Sequence, residues 1–408
     1  MELLWWGYPG PKFVVDRHNR PMASLYKDGR LFTAGNNRVM AVDAYNGVRL
    51  WDVAVPESLR VAIFRNCGWM AAASDYLYVA QRDNCVALDV ETGVPALTLA
   101  APQLIGGETR DWGYLAVDNN QLIGSGEKKT ASWREPGLTT IYGQAYFDYK
   151  PLVTSDYLFG MNRSTGQQLW NYRNPSSVII NSSITVSDDA VYFVESRNAA
   201  AVSDADGRVT LAVLLSGSSE YLVKLNKTNG NQVWAVPVDL PYEHVLYVCY
   251  ANSRIVTMGT RNSGTVYYEF RTYNPTNGSL YWSKSVNSGF TAGGNHGEQD
   301  QHPCIVGNTI YLRTHKLDLT SGNSLTFGIT RSGCGTQSGS AAHLFARNSN
   351  PAMYDLNNNG AVTNLTSNTR PGCFINMIPA GGLVLIPESS SGCICDYTLQ
   401  TSLAFKPQ

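Results

Sequence analysis

Short apolar segments alternate with polar turns along the whole chain. The apolar segments are rich in β-branched and aromatic residues, as in residues 31–34, 77–80, 191–194 and 310–312. They are bounded by Gly, Asn, Asp and Ser, which is the pattern of short β-strands, and no segment shows helical periodicity of useful length. The sequence therefore predicts an all-β protein.

A turn phrase recurs after many of these segments: Asp or Asn, three further residues, Gly, and often Trp four residues later. Such a side chain can accept from backbone groups two residues on, and Gly supplies the positive φ that closes a hairpin. Repeats of several short strands and one turn are typical of β-propellers. The phrase occurs at Asp43–Gly47–Trp51, Asp89–Gly93, Asn162–Gly166–Trp170, Asn226–Gly230–Trp234, Asn274–Gly278–Trp282, Asp318–Gly322 and, stretched by one residue, Asp355–Gly360.

The count of these units predicts an eight-bladed propeller. Seven units carry the turn phrase, and an eighth set of strands lies near residues 382–386 and 400–405. The apolar residues 3–6 can complete this last blade, so that pairing of the two chain ends closes the ring and removes exposed sheet edges. We expect one domain over residues 1–408, with loops at one rim near 127–148 and 196–219, where the turns lie farthest apart.

The balance of basic and acidic residues limits the classes of partner that the protein is expected to bind. With 31 basic and 32 acidic residues the formal charge is -1, so we expect neither nucleic-acid binding nor adhesion to an anionic membrane. No apolar stretch is long enough for membrane insertion. We expect a monomer. Because the first residues lack the features of a signal peptide, we also expect either that an export signal was removed or that the chain is an excised domain.

Four of the eight cysteines lie in the last 75 residues: Cys334, Cys373, Cys393 and Cys395. We expect them to form disulfides that staple the final blades, which indicates an oxidising, extracytoplasmic compartment. A thiolate metal site and free buried thiols are the alternatives. The spacing does not determine which cysteines pair.

Two parts of the sequence resemble a known family. Residues 31–51 and 161–170 are similar to the repeats of PQQ-like propellers, a group that includes quinoprotein dehydrogenases and the outer-membrane assembly lipoprotein BamB. The C-terminal residues 370–376, 378–382, 387–388, 393–395 and 400–404 resemble a poorly characterised bacterial branch associated with planctomycetes. The resemblance covers essentially the whole chain and implies the propeller fold, but it leaves activity open, because the group holds enzymes, scaffolds and binding proteins.

The resemblance to this family does not imply that the chain binds the PQQ cofactor. In PQQ-dependent alcohol dehydrogenases the quinone is clamped by a disulfide between adjacent cysteines and a Trp floor, beside a calcium ion. This chain has no adjacent cysteines and is far shorter than those enzymes. We therefore expect no PQQ, and retain a divalent metal, zinc or calcium, as the cofactor candidate.

The segments that precede each first strand approach the axis of a propeller, and here they are unusually polar. A concave polar pocket at the mouth of the channel is thus the predicted binding site. Its predicted lining residues are Arg65, Asn66, Asp111, Trp112, Asn181, Glu243, Thr336 and Asn376, with His244, His296, His302, Arg110 and Arg370 as candidates for catalysis.

Residues 296–304 carry the densest set of metal-ligand types. His296, His302 and Cys304, near Glu298 and Asp300, could bind zinc or another divalent ion. Their spacing matches no closed structural zinc motif, and the alternative is that they hydrogen-bond across the mouth.

Three functions remain open from the sequence. The first is a non-catalytic propeller that binds a polysaccharide or a protein partner. The second is a polysaccharide lyase, in which His244, His296 or His302 abstracts a proton while an arginine or a metal neutralises a uronate carboxylate. For that enzyme Arg65, Arg110 or Arg370 would be the neutraliser, and aromatic residues such as Trp112, Tyr114 or Tyr242 would stack on sugar. The third is an oxidoreductase that uses PQQ or a bound metal.

Overall fold

The computed structural model describes most of the chain: residues 1–8, 10–16, 21–104, 106–133, 151–291, 298–367, 369, 371–372, 374, 376–388, 390–391 and 399–408. The predicted all-β class is confirmed, since these residues form mostly antiparallel sheets. The described helices are α1 (Ala199–Ser203), α2 (Leu211–Leu214) and the 3-10 turns Ile63–Arg65, Asn181–Ser183, Glu298–Asp300 and Leu356–Asn358. None of the described helices has the length and apolar character to cross a bilayer.

The strands of the first half of the chain are β1 (Glu2–Gly7), β2 (Val15–Asp16), β3 (Leu25–Lys27), β4 (Arg30–Gly35), β5 (Arg38–Asp43), β6 (Arg49–Ala54), β7 (Met70–Ala72), β8 (Tyr76–Gln81), β9 (Asn84–Asp89), β10 (Pro95–Ala100), β11 (Asp111–Asp118), β12 (Gln121–Glu127), β13 (Leu152–Asn162), β14 (Gln168–Tyr172), β15 (Val178–Ile180), β16 (Thr185–Val186), β17 (Ala190–Ser196) and β18 (Arg208–Val209). Those of the second half are β19 (Glu220–Asn226), β20 (Gln232–Pro237), β21 (Leu246–Ala251), β22 (Arg254–Ser263), β23 (Thr265–Tyr273), β24 (Leu280–Thr291), β25 (Cys304–Val306), β26 (Thr309–Leu312), β27 (His315–Asp318), β28 (Ser338–Gly339), β29 (His343–Asn348), β30 (Asn350–Asp355), β31 (Ala361–Asn364), β32 (Ile378–Ala380), β33 (Leu383–Ile386), β34 (Ser390–Ser391) and β35 (Ser402–Lys406).

Most sheets are antiparallel meanders of consecutive strands. Four-stranded sheets are formed by β3–β6, β7–β10, β21–β24 and β28–β31, and β25–β27 form a three-stranded sheet. A ten-stranded sheet contains β11 to β20, in which β13 pairs with β12, β14, β15 and β18. The sheet β1-β35-β33-β32 joins both ends of the chain, with Glu2 opposite Lys406 and Gly7 opposite Ser402.

The recurring turn phrase forms the hairpin that its residue types predict. In the first copy, Asp43 Oδ1 accepts hydrogen bonds from the backbone of Tyr45 at 2.8 Å and of Asn46 at 3.1 Å. Gly47 has φ 73° and donates to Asp43 O at 2.9 Å. The same acceptor role falls to Asp89, Asn162, Asn226, Asn274, Asp318 and Asp355.

The turn glycines also lie against tryptophans of the preceding sheet. A Cβ built on Gly47 would lie 2.7 Å from the ring of Trp5, and one on Gly93 would lie 2.7 Å from the ring of Trp51. The Trp5 indole donates to Ala44 O at 2.7 Å. The recurring Gly is therefore required for two reasons, its positive φ and the close approach of the tryptophan ring. The pairs Trp170–Gly230 and Trp282–Gly322 repeat this contact.

The second predicted rim loop, near 196–219, has regular structure of its own. Helices α1 and α2 and strand β18 lie in this segment, and β18 pairs with β13. Short helices form in this segment because Asn198 caps α1 by accepting from the backbone of Ala200 and Ala201, and because Leu211 and Leu214 of α2 are buried. Of the first predicted loop, residues 134–148 lie outside the described residues.

Candidate functional site

The polar segments between sheets meet near one another, as the propeller fold predicts. The turn Ile63–Arg65 precedes β7, Asn181–Ser183 precedes β16, and Glu298–Asp300 precedes β25. The first two of these turns contact each other although they are far apart in sequence. Their polar side chains form two groups, one around His244 and one around Glu127.

The first group is a buried set of three charged or titratable side chains: Arg65, His244 and Asp300 are 0%, 6% and 4% exposed. His244 Nε2 lies 2.8 Å from Asp300 Oδ1. The Arg65 guanidinium donates to His244 O, and its Nη2 lies 3.1 Å from Nε2 and 3.4 Å from Nδ1 of the imidazole. Phe64 stacks on the His244 ring with centroids 6.4 Å apart. Both ring nitrogens of His244 are thus engaged by neighbouring side chains.

The second group is centred on Glu127, which is fully buried at the end of β12. Asn181 Nδ2 donates to Glu127 Oε2 at 3.1 Å and to Asn66 Oδ1 at 2.9 Å. Ser132 donates to Glu127 Oε1, and Arg60 Nη1 lies 3.8 Å from the same oxygen. Asn66 and Asn181, predicted together from the sequence, are therefore brought together.

Glu127 was missed by sequence reasoning. Its carboxyl is fully buried, and this burial raises its pKa from 4.5 to about 7, against the opposing effect of Arg60. The signal available in the sequence is a glutamate directly after the segment Gly124–Ser125–Gly126. A Cβ on Gly126 would collide with the Tyr157 ring at 2.1 Å, so the glycine reflects tight packing beside the carboxylate.

A cavity of about 270 Å³ lies beside the Asp300 carboxylate. Phe64, Tyr247 and Phe374 give it aromatic walls, and it is completed by Ala23, Ile63, Asp300, His302, Thr336, Gln337 and Asn376. We call this the axial cavity. Thr336 Oγ1 donates to Asn376 Oδ1 at 2.7 Å, so two more residues predicted for the site lie together.

Gln337 is the unusual residue of the axial cavity. The side chain is 6% exposed, and neither its amide nitrogen nor its amide oxygen has a hydrogen-bond partner among the described residues. Leaving a buried amide unpaired is costly, roughly 1–3 kcal/mol for each unmade hydrogen bond. A ligand that offers both a donor and an acceptor would remove that cost. Nothing in the sequence pattern distinguished Gln337 beforehand.

Several residues predicted for the site lie elsewhere. Arg110 pairs with Asp156 and with Glu108, both at 2.6 Å, beside a separate rim groove. Asp111 accepts from Arg82 at 2.9 Å. Trp112 is fully buried and packs edge-on against Phe159, so it is not available for stacking on a sugar, and Tyr242 is buried as well. Glu243 is exposed and accepts from the backbone of Asn262.

The predicted metal ligands do not form a metal site within the described part of the chain. His302 lines the axial cavity, where Nδ1 donates to Pro303 O at 2.8 Å and the ring lies 4.7 Å from Tyr247. Cys304 is a free thiol on β25. No three His, Cys, Asp or Glu side chains of the described residues come together as a cation would require. His296 and Arg370 lie outside the described residues.

The structure describes five of the eight cysteines. Cys67, Cys85, Cys249 and Cys304 are free thiols. Cys334 is buried beside Phe374. The other candidates for disulfides, Cys373, Cys393 and Cys395, lie outside the described residues, so the predicted staple stays a prediction.

The axial cavity does not suit a PQQ cofactor. Its described lining contains no tryptophan that could serve as a floor, and its single described carboxylate, Asp300, is engaged by His244. The sequence offers no adjacent cysteines to clamp a quinone.

Comparison with known proteins agrees with this architecture. A family model described as outer membrane protein assembly factor BamB matches residues 130–360, more than half of the chain. The crystal structure of BamB from Moraxella catarrhalis is similar with a TM-score of 0.55 and 10% identity, over 97% of this chain and 98% of that chain. At such identity the likeness concerns the fold alone.

Weaker structural matches are found among dehydrogenases. The quinohemoprotein alcohol dehydrogenase from Comamonas testosteroni gives a TM-score of 0.45 at 14% identity, over 86% of this chain and 54% of that chain. A europium-containing methanol dehydrogenase gives 0.43 at 11% identity, over 86% and 84%. No curated protein sequence matches this chain.

Proposed function

This chain belongs to the family described as outer membrane protein assembly factor BamB, a group of PQQ-like propellers, and from that premise we propose that it binds a protein partner at the axial cavity without catalysing a reaction. The proposed form is a monomeric eight-bladed ring that acts outside the cytoplasm. The observation that carries the proposal is the axial cavity, with the amide of Gln337 in its wall that bonds to none of the described residues.

The sheet order supports eight blades. The ten-stranded sheet contains two four-stranded units, β11–β14 and β16-β17-β19-β20, with β15 and β18 as additional short strands. Together with the four meanders, the three-stranded sheet and the sheet of both chain ends, this makes eight. Trp5 on β1 packs on Gly47 of the first meander, just as Trp51 packs on Gly93, and this contact supports closure between the last blade and the first.

The size and lining of the axial cavity favour a protein partner over a glycan. Its volume of about 270 Å³ is below the ~300–1,000 Å³ typical of small-molecule pockets, and so has room for one inserted side chain but not for an oligosaccharide. The aromatic walls suit an apolar or aromatic side chain. The Gln337 amide can donate to and accept from the peptide group of the inserted segment.

The lyase and oxidoreductase hypotheses receive no such support. A general base needs a ring nitrogen that faces the substrate, whereas both nitrogens of His244 contact Arg65 or Asp300. In His302, Nδ1 donates to Pro303 O and Nε2 lies 3.8 Å from Cys249 Sγ.

A peptide-display selection on the immobilised protein tests the proposal. Ala23→Phe fills the axial cavity, and Ala205→Phe makes the same change in the rim groove. We expect selected peptides to bind the wild type and Ala205→Phe, and to lose binding to Ala23→Phe. Peptides that bind all three proteins equally, or a glycan-array signal that Ala23→Phe abolishes in place of a peptide signal, would contradict a protein partner at this cavity.

The extracytoplasmic location rests on the family assignment and on the C-terminal cysteines. Mass spectrometry of the protein isolated from its native host, alkylated without reductant, measures their oxidation state. We expect disulfides among Cys334, Cys373, Cys393 and Cys395, and alkylation of all four would argue against an oxidising compartment.

A further inference from the structure

Two buried arginines, Arg313 and Arg331, lie close enough for their charges to interact. Arg313 follows β26 and is 3% exposed, and Arg331 precedes β28 and is 8% exposed. Arg313 has a left-handed backbone, with φ 51°, in the short turn that leads to β27. Arginine is seldom buried to this extent unless a carboxylate or another anion accompanies it.

Neither guanidinium is paired with a carboxylate of the described residues. Arg331 donates to the neutral acceptors Gln301 Oε1, at 3.2 Å, and Gly335 O, while its Nε has no partner there. Arg313 has no hydrogen-bond partner among the described residues at Nε or Nη1. Its guanidinium instead lies 4.5 Å from the centroid of the Phe290 ring.

The groups around the pair add positive charge or donors rather than negative charge. Burial, and then the nearby charge of Arg313, lower the pKa of Arg331 to about 10. Burial and the charge of Arg313 also lower the pKa of His315, whose Nε2 has no partner among the described residues. The phenol of Tyr354 lies close enough for the charges of both arginines to act on its pKa, and its hydroxyl donates to Thr330 O.

An unpaired buried charge is among the most costly features a protein can hold. The Phe290 ring offsets only part of the lost hydration of Arg313, since a ring quadrupole is weaker than a counter-charge. An oxyanion would offset it more fully, because a guanidinium fork matches carboxylate and phosphate oxygens and forms short, charge-assisted hydrogen bonds. His315 Nε2 offers a further polar atom to such a ligand.

We propose that Arg313 and Arg331 form an oxyanion-binding site, with His315 beside it, for a phosphate or carboxylate group. Arg313, Arg331 and His315 are not among the described residues that line the axial cavity, and the observations that support the site are independent of those that support the proposed partner. The free anion and an anion carried by a larger molecule present the same chemistry to the two guanidinium groups.

Isothermal titration of the full chain with inorganic phosphate, and separately with acetate, tests the site. Ionic strength is held constant with choline chloride, so that general screening does not vary. We expect saturable binding of at least one anion by the wild type. Arg313→Gln should weaken it by about tenfold or more, because a hydrogen bond between two charged groups is lost. Preference for phosphate points to a phosphoryl source, and preference for acetate to a carboxylate.

Arg261→Gln is the matched control. Arg261 also lies on an aromatic ring, 4.6 Å from the centroid of Tyr267, but it pairs with Glu269 at 2.9 Å. This variant should bind the anion as the wild type does. Urea unfolding without added anion gives a second readout: Arg313→Gln should be as stable as the wild type or more so, because it removes a buried charge that no carboxylate of the described residues neutralises. The absence of saturable binding of both anions, or binding that Arg313→Gln leaves unchanged, would overturn the site.

Discussion

Substitution of Gly47 by Ala measures how much the contact between the first and last sheets contributes to stability. Gly47 and Gly264 share nearly the same left-handed backbone, with φ 73° and 69°. A Cβ on Gly47 would lie 2.7 Å from the Trp5 ring, whereas a Cβ on Gly264 would have no heavy atom within 4 Å among its described surroundings. Gly264→Ala therefore reports the backbone strain alone.

The magnitude follows from two costs. The left-handed conformation costs an Ala roughly 1–2 kcal/mol at either position. At Gly47 the new methyl also pushes the Trp5 ring, and overpacking of this kind costs roughly 1–3 kcal/mol. Displacement of the ring also strains the 2.7 Å hydrogen bond from the Trp5 indole to Ala44 O. We expect Gly47→Ala to lower the free energy of unfolding by about 1–3 kcal/mol more than Gly264→Ala.

Urea unfolding followed by tryptophan fluorescence and by circular dichroism gives both values. Trp5→Leu provides the internal check, because a smaller side chain makes room for the methyl group. In the Trp5→Leu background, Gly47→Ala should cost no more than Gly264→Ala costs in the wild type. Equal costs for the two alanine variants in the wild-type background would refute the argument that the Trp5 ring requires Gly47.

Three further outcomes are expected. The pKa of Glu127 is raised from 4.5 to about 7 in the folded state, so between these pH values the folded protein keeps a proton on Glu127 that the unfolded chain has lost. The free energy of unfolding should therefore fall by roughly 3 kcal/mol as pH rises through this window. In Glu127→Gln, urea unfolding should no longer show this pH-dependent fall. Asn226→Ala removes an acceptor for the backbone of Thr228 and should cost about 1 kcal/mol in urea unfolding, whereas Asn226→Asp should be nearly neutral. The Cys85 thiol is fully buried and its pKa is raised by burial, so it should resist Ellman's reagent at pH 8 until the protein unfolds, as residue-resolved alkylation would show.

The fold was predictable because its signals are local. Each turn phrase contains the acceptor, the Gly and often the Trp within nine residues, as in the copy from Asp43 to Trp51. The turns therefore appear in the structure where the sequence places them. The role of the Trp was not predicted, because the ring of Trp5 contacts Gly47 across two sheets and not within its own repeat.

The site was predicted only in outline for the same physical reason. Arg65 and His244 were both recognised as polar residues near the axis, but they are separated by 179 positions, and no spacing rule indicates that they bond. Trp112 was assigned to the site from its position between strands, yet its indole is fully buried. Glu127 and Gln337 look ordinary in sequence, and only burial makes them exceptional.

Hydrogen bonding of buried polar atoms differs between the Glu127 group and the segment that leads to β28. Around Glu127, Asn181 bonds both the carboxyl group and Asn66, and Ser132 bonds the carboxyl group, so that Asn66 Nδ2 alone lacks a partner among the described side-chain atoms of these four residues. A buried network of this kind fixes how sheets meet. Near the start of β28, the described atoms without partners include both polar atoms of Gln337 and Nε of Arg331. Arg331 also donates to Gly335 O, two residues before Gln337. A ligand that reorients either side chain therefore acts on the short segment that holds both, so the axial cavity and the arginine pair should influence each other's affinity.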